Sequence, residues 1–229
     1  LGDYLDQEGY GESFRTNYLL PMAAAIWSCP TAQMLAYPFH TFVRFCHNHG
    51  LLQITDRPTW MTVAEGSRTY VGMLADAISA RGSHVKSHCG ALSIARDSEG
   101  VSIKTIQGDL RFDQVVLACH SDQALNMLTD ASQDEKTILG ALPYQKNTIV
   151  LHTDAKLMPK CRLAWAAWNY HLTAKPLGLA AVTYNMNILQ SLDSPEPFLV
   201  TLNHTANIDP AKIIKTLNYT HPVFTAEGI

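Results

Sequence analysis

The residues best suited to chemistry fall into a few local groups. Gly66-Ser67-Arg68 opens a run with helical spacing, SRTYVGMLADAISA. A glycine permits close backbone approach and a helix N-terminus attracts anionic groups, so this turn could hold a negatively charged ligand; a plain capping turn uses the same residue types. Further along, Trp165, Trp168, Tyr170 and Tyr184 lie in β-type runs. Trp168 and Tyr170 are two apart and share one face of a strand, whereas Trp165 points to the other. Only part of this set can line one cavity, and aromatic core packing explains each residue equally well. His47-Asn48-His49 has the letters of a nuclease motif, and His84 with His88 could bind a metal. Neither has carboxylate or cysteine partners at ligand spacing, so no metal centre is predicted. The HNH string fits polar capping of a helix end before Gly50. No serine stands in a G-x-S-x-G elbow, and no P-loop is present.

The elements that must position these groups come from 229 residues, enough for one large domain or two small ones. The chain is 47% hydrophobic and 16% charged, which is a globular composition. Its net charge of −3, without a basic stripe, argues against nucleic-acid binding. Cys29, Cys46, Cys89, Cys119 and Cys161 are isolated from one another, which fits a reducing, cytoplasmic setting better than a disulfide framework. No basic-then-apolar leader opens the chain. The longest apolar stretch, Tyr18 to Cys29, is about half what a bilayer demands, so no transmembrane segment is expected. The sequons at Asn203 and Asn218 read as chance matches in such a setting.

Periodicity predicts helices over 13–29, kinked or divided at Pro21, and over 31–49, capped by Thr31, broken at Pro38 and stopped at Gly50. A third begins at Ser67 and ends at Gly82. Short β-type runs follow at 84–87, 91–96, 101–105 and 114–118, the first three as a meander. VVLAC (115–119) suits a strand covered on both faces. Ser121 caps a further helix. Strands are expected at 147–153, 163–170, 180–185 and 198–203, and a short helix AKIIKTL after Pro210. The two textures alternate along the chain, which predicts interwoven domains.

The stretches WMTVAEGSRTYVGMLADAI (60–78) and HVKSHCGALSIARDSEGVSIKTIQGDLRFDQVVLACHSDQALNML (84–128) resemble the middle of flavin-containing amine oxidoreductases. The likeness is greatest to bacterial amine-oxidase-like FAD/NAD-binding proteins. LHTDAKLMPKCRLAWAAWNYHL (151–172), AVTYNMNILQSL (181–192), VTLNHTANIDP (200–210) and NYTHPVF (218–224) continue it in order. The resemblance implies an α/β (mixed α+β) fold, in which a partial FAD-binding Rossmann-like domain is interwoven with a substrate domain of mixed sheet plus helices. Residues 1–82 would form a helical cap and the start of a FAD-contacting helix, and 83–130 part of the FAD-binding domain. Residues 131–217 would form the substrate-domain sheet and 218–229 the start of a return segment. It implies FAD contacts at Gly66, Ser67 and Arg68, at the Val85 backbone beside the adenine, and at Ala118 and Cys119. Trp165, Trp168, Tyr170 and Tyr184 would stand on the substrate side, with Lys146, or Asn147 one residue on, near the flavin N5.

Several positions depart from the family pattern. Glu65-Gly66 stands where paired glycines are usual, and Asn185 where a tryptophan is expected. No G-x-G-x-x-G turn is present, and the glycine-rich closing segment is absent. The expectation is an internal piece of a FAD-dependent oxidoreductase that moves a hydride from a small or lipid-like substrate. The alternative is a non-catalytic remnant or interaction module. Surface left uncovered by a missing βαβ unit would favour self-association.

Overall fold

The computed structural model describes residues 1–173, 178–225 and 227–228, and its contacts divide the chain into two compact units. One joins Leu1–Gly66 to Gln145–Ala226, and the other comprises Ser67–Tyr144 with Glu227–Ile229.

The first unit begins with helices α1 (Gly2–Gln7), α2 (Glu12–Phe14), α3 (Leu20–Trp27), α4 (Thr31–Leu35) and α5 (Phe39–Asn48). A π-helical turn, Arg15–Leu19, joins α2 to α3. The run is divided just before Pro21, where the π-helical turn gives way to α3, and Pro21 sits in the first turn of α3, where its missing N–H is tolerated. The actual stop is Ser28, in the left-handed conformation at φ 51°. Thr31 is the first helical residue of α4 and Pro30 precedes it as the cap. Pro38 does separate α4 from α5, and Gly50 turns left-handed at φ 65° after α5. The apolar faces close on Leu5, Ala23, Ala24, Met34, Phe42 and Cys46.

The second unit opens with α6 (Ser67–Ala80), none of whose residues is buried. A meander follows: β1 (Ala91–Asp97), β2 (Gly100–Thr105) and β3 (Gly108–Phe112), antiparallel in that order. It is shifted by one strand from the expectation. GDLRF pairs as β3, while 84–87 forms no strand among the described residues. Gly100 is obligatory, since φ is 140° and a Cβ would meet the Phe112 carbonyl oxygen at 2.4 Å. The run 114–118 is likewise not a strand. An apolar run becomes a strand only where a neighbour accepts its ladder, and none does among the described residues. Helix α7 (Ser121–Met127) has His120, not Ser121, at its cap position. Helix α8 (Gln133–Gly140) carries a capping box between Ser132 and Glu135.

The chain then returns to the first unit with β4 (Tyr144–His152), β5 (Trp168–Tyr170), β6 (Val182–Asn185), the short α9 (Met186–Gln190), β7 (Leu199–Leu202) and β8 (Ile213–Pro222). The sheet order is β5-β6-β7-β4-β8. Two expectations fail here. Residues 163–167 are not a strand, because Arg162–Ala164 is a 3₁₀ turn. AKIIKTL is not a helix either: Pro210–Lys212 is a 3₁₀ turn that feeds β8. Ile213 and the β-branched residues beside it gain a ladder against β4 that an isolated short helix could not match.

Register fixes two faces. Tyr170, Val182 and Leu202 lie in one row, and Tyr170 and Val182 pack, with Tyr184, toward the helical core. Asn169, Thr183, Thr201 and Val150 form the row on the opposite face.

Candidate functional site

Of the four aromatic candidates, three share the helix-covered face of the sheet. Trp168 and Tyr184 are cross-strand partners, edge to face at 5.3 Å, and Tyr170 lies beside them. Burial pushes the Tyr170 and Tyr184 phenols up, and both rings belong to the packed core. Trp168 keeps 45% of its surface. Trp165 stands apart, outside any strand, so strand parity does not apply to it. Its indole N–H donates to the Pro159 carbonyl at 2.8 Å, and the Arg162 guanidinium lies 4.9 Å from its ring centre. Trp165, Arg162 and Asn185 line a small cleft with Ile188, Pro195 and Pro197. Asn185 shares parity with Thr183 and opposes Tyr184, so the structure does not gather the four aromatics into one pocket.

Lys146 is exposed on β4, and among the described residues no carboxylate pairs with it. Asn147, its neighbour, is 1% exposed and points to the other face. Its Oδ1 accepts from Asn203 Nδ2 at 2.7 Å, and its Nδ2 donates to His221 Nδ1 at 2.9 Å. Asn203, left-handed at φ 55°, also donates to the Ala180 carbonyl and accepts from the Thr148 N–H. Asn147 is therefore a pin between strand ends. Asn203 has its amide nitrogen committed inside that pin.

On the same face as Lys146 runs a buried polar row with no local sequence signal. His152, Thr201, Thr183 and His171 are joined by three 2.7 Å hydrogen bonds. The direction is fixed at one end, because the Asp154 N–H donates to His152 Nδ1 at 3.0 Å. The proton of neutral His152 is then on Nε2 and goes to Thr201, Thr201 donates to Thr183, and Thr183 donates to His171 Nε2. Burial pushes His152 down against the pull of Asp154. Burial, with His204 stacked at 4.9 Å, pushes His171 down to about 4. Burial alone would raise the Asp154 carboxyl, but the Asp209 and Lys156 N–H groups and Lys212 outweigh it and hold it low. The row is a neutral, oriented network at pH 7.

The candidates for cofactor contact lie elsewhere. Glu65 and Gly66 are both left-handed, at φ 63° and 83°, and a Cβ at Gly66 would meet nothing within 4 Å. Helix α6 begins at Ser67, with Arg68 exposed. Val85 is 58% exposed, and Ala118 and Cys119 are exposed. No strand pairs with the backbone of any of these three among the described residues. Also among the described residues, no group of three His, Cys, Asp or Glu could hold a metal, and no helix is long and apolar enough to cross a membrane.

The sequence profile described as flavin containing amine oxidoreductase matches residues 20–162, more than half of the chain. The chain belongs to that family. No curated protein sequence matches it. The fold is similar to that of a provisionally named protoporphyrinogen oxidase from Exiguobacterium sp. 255-15, with a TM-score of 0.61 and 15% identity over 98% of this chain and 56% of that one. It is also similar to cyclohexylamine oxidase from Brevibacterium oxydans IH-35A, with a TM-score of 0.58 and 12% identity over 99% of this chain and 57% of that one. A CLA-producing fatty acid isomerase from P. acnes matches over 69% of this chain and 40% of its own, at a TM-score of 0.48 and 18% identity. At these identities the likeness is one of fold. The chain thus spans little more than half the length of the two oxidases.

Membership in this family accords with the mixed α/β architecture. The oriented row and the Arg162–Asn185 cleft were not foreseen from the sequence. Each depends on residues brought together from separate strands and loops, with no shared spacing to find.

Proposed function

We propose that this chain is the middle of a FAD-dependent oxidoreductase of the amine-oxidase type, acting on a small or lipid-like substrate by hydride transfer to the flavin. The observation that carries this reading is the family profile over 20–162, which includes every candidate cofactor residue. The fit of the residues supports it. Gly66 has open space where backbone approach is needed, and among the described residues no strand pairs with Val85 or 115–119. Gly66, Ser67 and Arg68 would hold phosphate or ribose oxygens, and Val85, Ala118 and Cys119 would pair through backbone groups. When bound, the flavin supplies the hydride acceptor. Trp168, with nearly half its surface free, would offer an apolar wall to substrate, while Tyr170 and Tyr184 hold that wall from behind. Lys146 lies on the opposite face of the sheet from Trp168 and so takes no part in that wall.

The test is a visible absorption spectrum of the purified chain after incubation with FAD and desalting. Retained flavin bands are the expected result. A colourless protein would sink the reading for this chain and favour the second one, a remnant or interaction module. That second reading draws on exposed Val71, Met73, Leu74 and Val116. The same exposed apolar groups underlie our expectation of self-association, which sedimentation at rising concentration would reveal.

A further inference from the structure

The cleft beside Trp165 has the construction of a binding site. It has a volume of about 200 Å³ and lies in the first unit, between the Arg162–Ala164 turn, the start of α9 and the loop 191–198. Asn185 forms part of its lining and is 2% exposed. The Asn185 Oδ1 caps α9 by accepting the Ile188 N–H at 3.3 Å, which fixes the amide the right way round. Its Nδ2 has no acceptor among the described residues. The nitrogen keeps some contact with solvent, so it remains a donor free to take an acceptor from a ligand.

A second donor group reaches the same space. Arg162 has no carboxylate within ion-pair distance among the described residues. Its guanidinium lies over an indole whose own N–H is tied to Pro159, a cation–π contact that leaves the guanidinium N–H groups able to reach a ligand. The opposite lip is equally fixed. Asn187 donates to the Glu196 carbonyl at 2.9 Å and accepts from the Phe198 N–H at 2.7 Å, anchoring Pro195 and Pro197. Neither Asp193 nor Glu196, both on that loop, lines the cleft.

We propose that this cleft binds a carboxylate carried on a small planar or apolar group. The guanidinium fork matches a carboxylate in two contacts, and the Asn185 amide adds a third. Trp165, Ile188 and the two prolines take the hydrocarbon part. The volume corresponds to about seven waters, enough for one ring with its acid group. A single cation balances a monoanion, whereas a phosphate dianion would leave charge uncompensated at a half-closed site. This inference does not rest on flavin binding, and its test uses the chain without added cofactor.

The experiment is a titration of phenylacetate, phenylacetamide and phenyl phosphate, read from the Trp165 indole N–H resonance. That resonance is assigned by its loss in Trp165→Phe. Phenylacetate is expected to shift it saturably and to bind at least ten-fold more tightly than phenylacetamide. Arg162→Met, at an exposed position, should weaken phenylacetate binding ten-fold or more without changing the melting temperature. Asn185→Asp keeps an oxygen for the Ile188 N–H but replaces the free donor with an acceptor, so it should weaken the acid more than the amide. Equal affinity for acid and amide, or full affinity in Arg162→Met, would overturn the proposal. So would the absence of any shift at tens of millimolar, or tighter binding of phenyl phosphate. Should Asn185→Asp fail to fold, the Arg162→Met comparison still decides.

Discussion

In the unit formed by Leu1–Gly66 and Gln145–Ala226, the polar interior is almost fully matched: His152, Asp154, Thr183 and Thr201 are each essentially inaccessible and each bonded. In the unit Ser67–Tyr144, by contrast, α6 leaves Val71, Met73 and Leu74 more than half exposed, and Val116 is 89% exposed. Its buried apolar residues are Ile94, Val101 and Ala124. Its charged contacts lie at the surface, where Arg96 joins Asp130 and Glu135, and Arg111 joins Asp97. Hydrogen bonds from Arg96 hold Glu135 at about 2, and those from Arg111 hold Asp97 at about 2. Exposed pairs of this kind contribute little to folding. The first unit therefore draws its stability from a closed core, and the second from local helix and hairpin preferences.

The largest effect should come from the first unit. Asp154→Ala strips two part-buried backbone N–H groups of their acceptor and should cost about 2–3 kcal/mol, measured from the denaturant midpoint. A loss under 1 kcal/mol would mean that the polar interior is less closed than described.

Acid should come next. His171 and His152 both have lowered values when folded, so the native unit holds them neutral while the unfolded chain takes up protons near 6.5. Their contribution is complete above that pH and is lost as pH falls through 6.5 toward about 4. Geometry explains the preference. A charged His171 would donate from Nε2 to Thr183, whose own hydrogen would then lose its acceptor. Urea unfolding at pH 7.5 and pH 5 should differ by about 1–2 kcal/mol, and His171→Asn should reduce the difference. An unchanged midpoint in the wild-type chain would refute the neutral, oriented row.

The second unit should answer more weakly. Ser132→Ala removes the capping box of α8 and should cost about 1 kcal/mol, visible in hydrogen exchange across α8. The smallest effect is expected for Leu74→Ser on the exposed face of α6, below about 0.5 kcal/mol. A loss above 2 kcal/mol there would show that α6 is covered in solution, by self-association or otherwise, and would remove the contrast between the units.

Much of the architecture was legible in local pattern. The runs at 147–153, 180–185 and 198–203 are β-branched and apolar, and they form β4, β6 and β7 with ends moved by a few residues. Proline and glycine marked α5 at both ends, and Gly82 stops α6 at φ 78°. VVLAC misled because a strand is a property of a pair, and the run has no partner among the described residues. AKIIKTL misled for the converse reason: seven residues suit either state, and β4 decided.

The sequence by itself determined which residues are apolar, where the chain turns and which family it belongs to, since each of these is carried by residue types in local order. Only the tertiary structure decided that Arg162 and Asn185 share one cleft, and that two threonines from different strands join two histidines. Those meetings depend on strand register and loop closure. A shift of one residue in β6 would turn Thr183 and Asn185 to the other face, and nothing in their neighbouring sequence records which register holds.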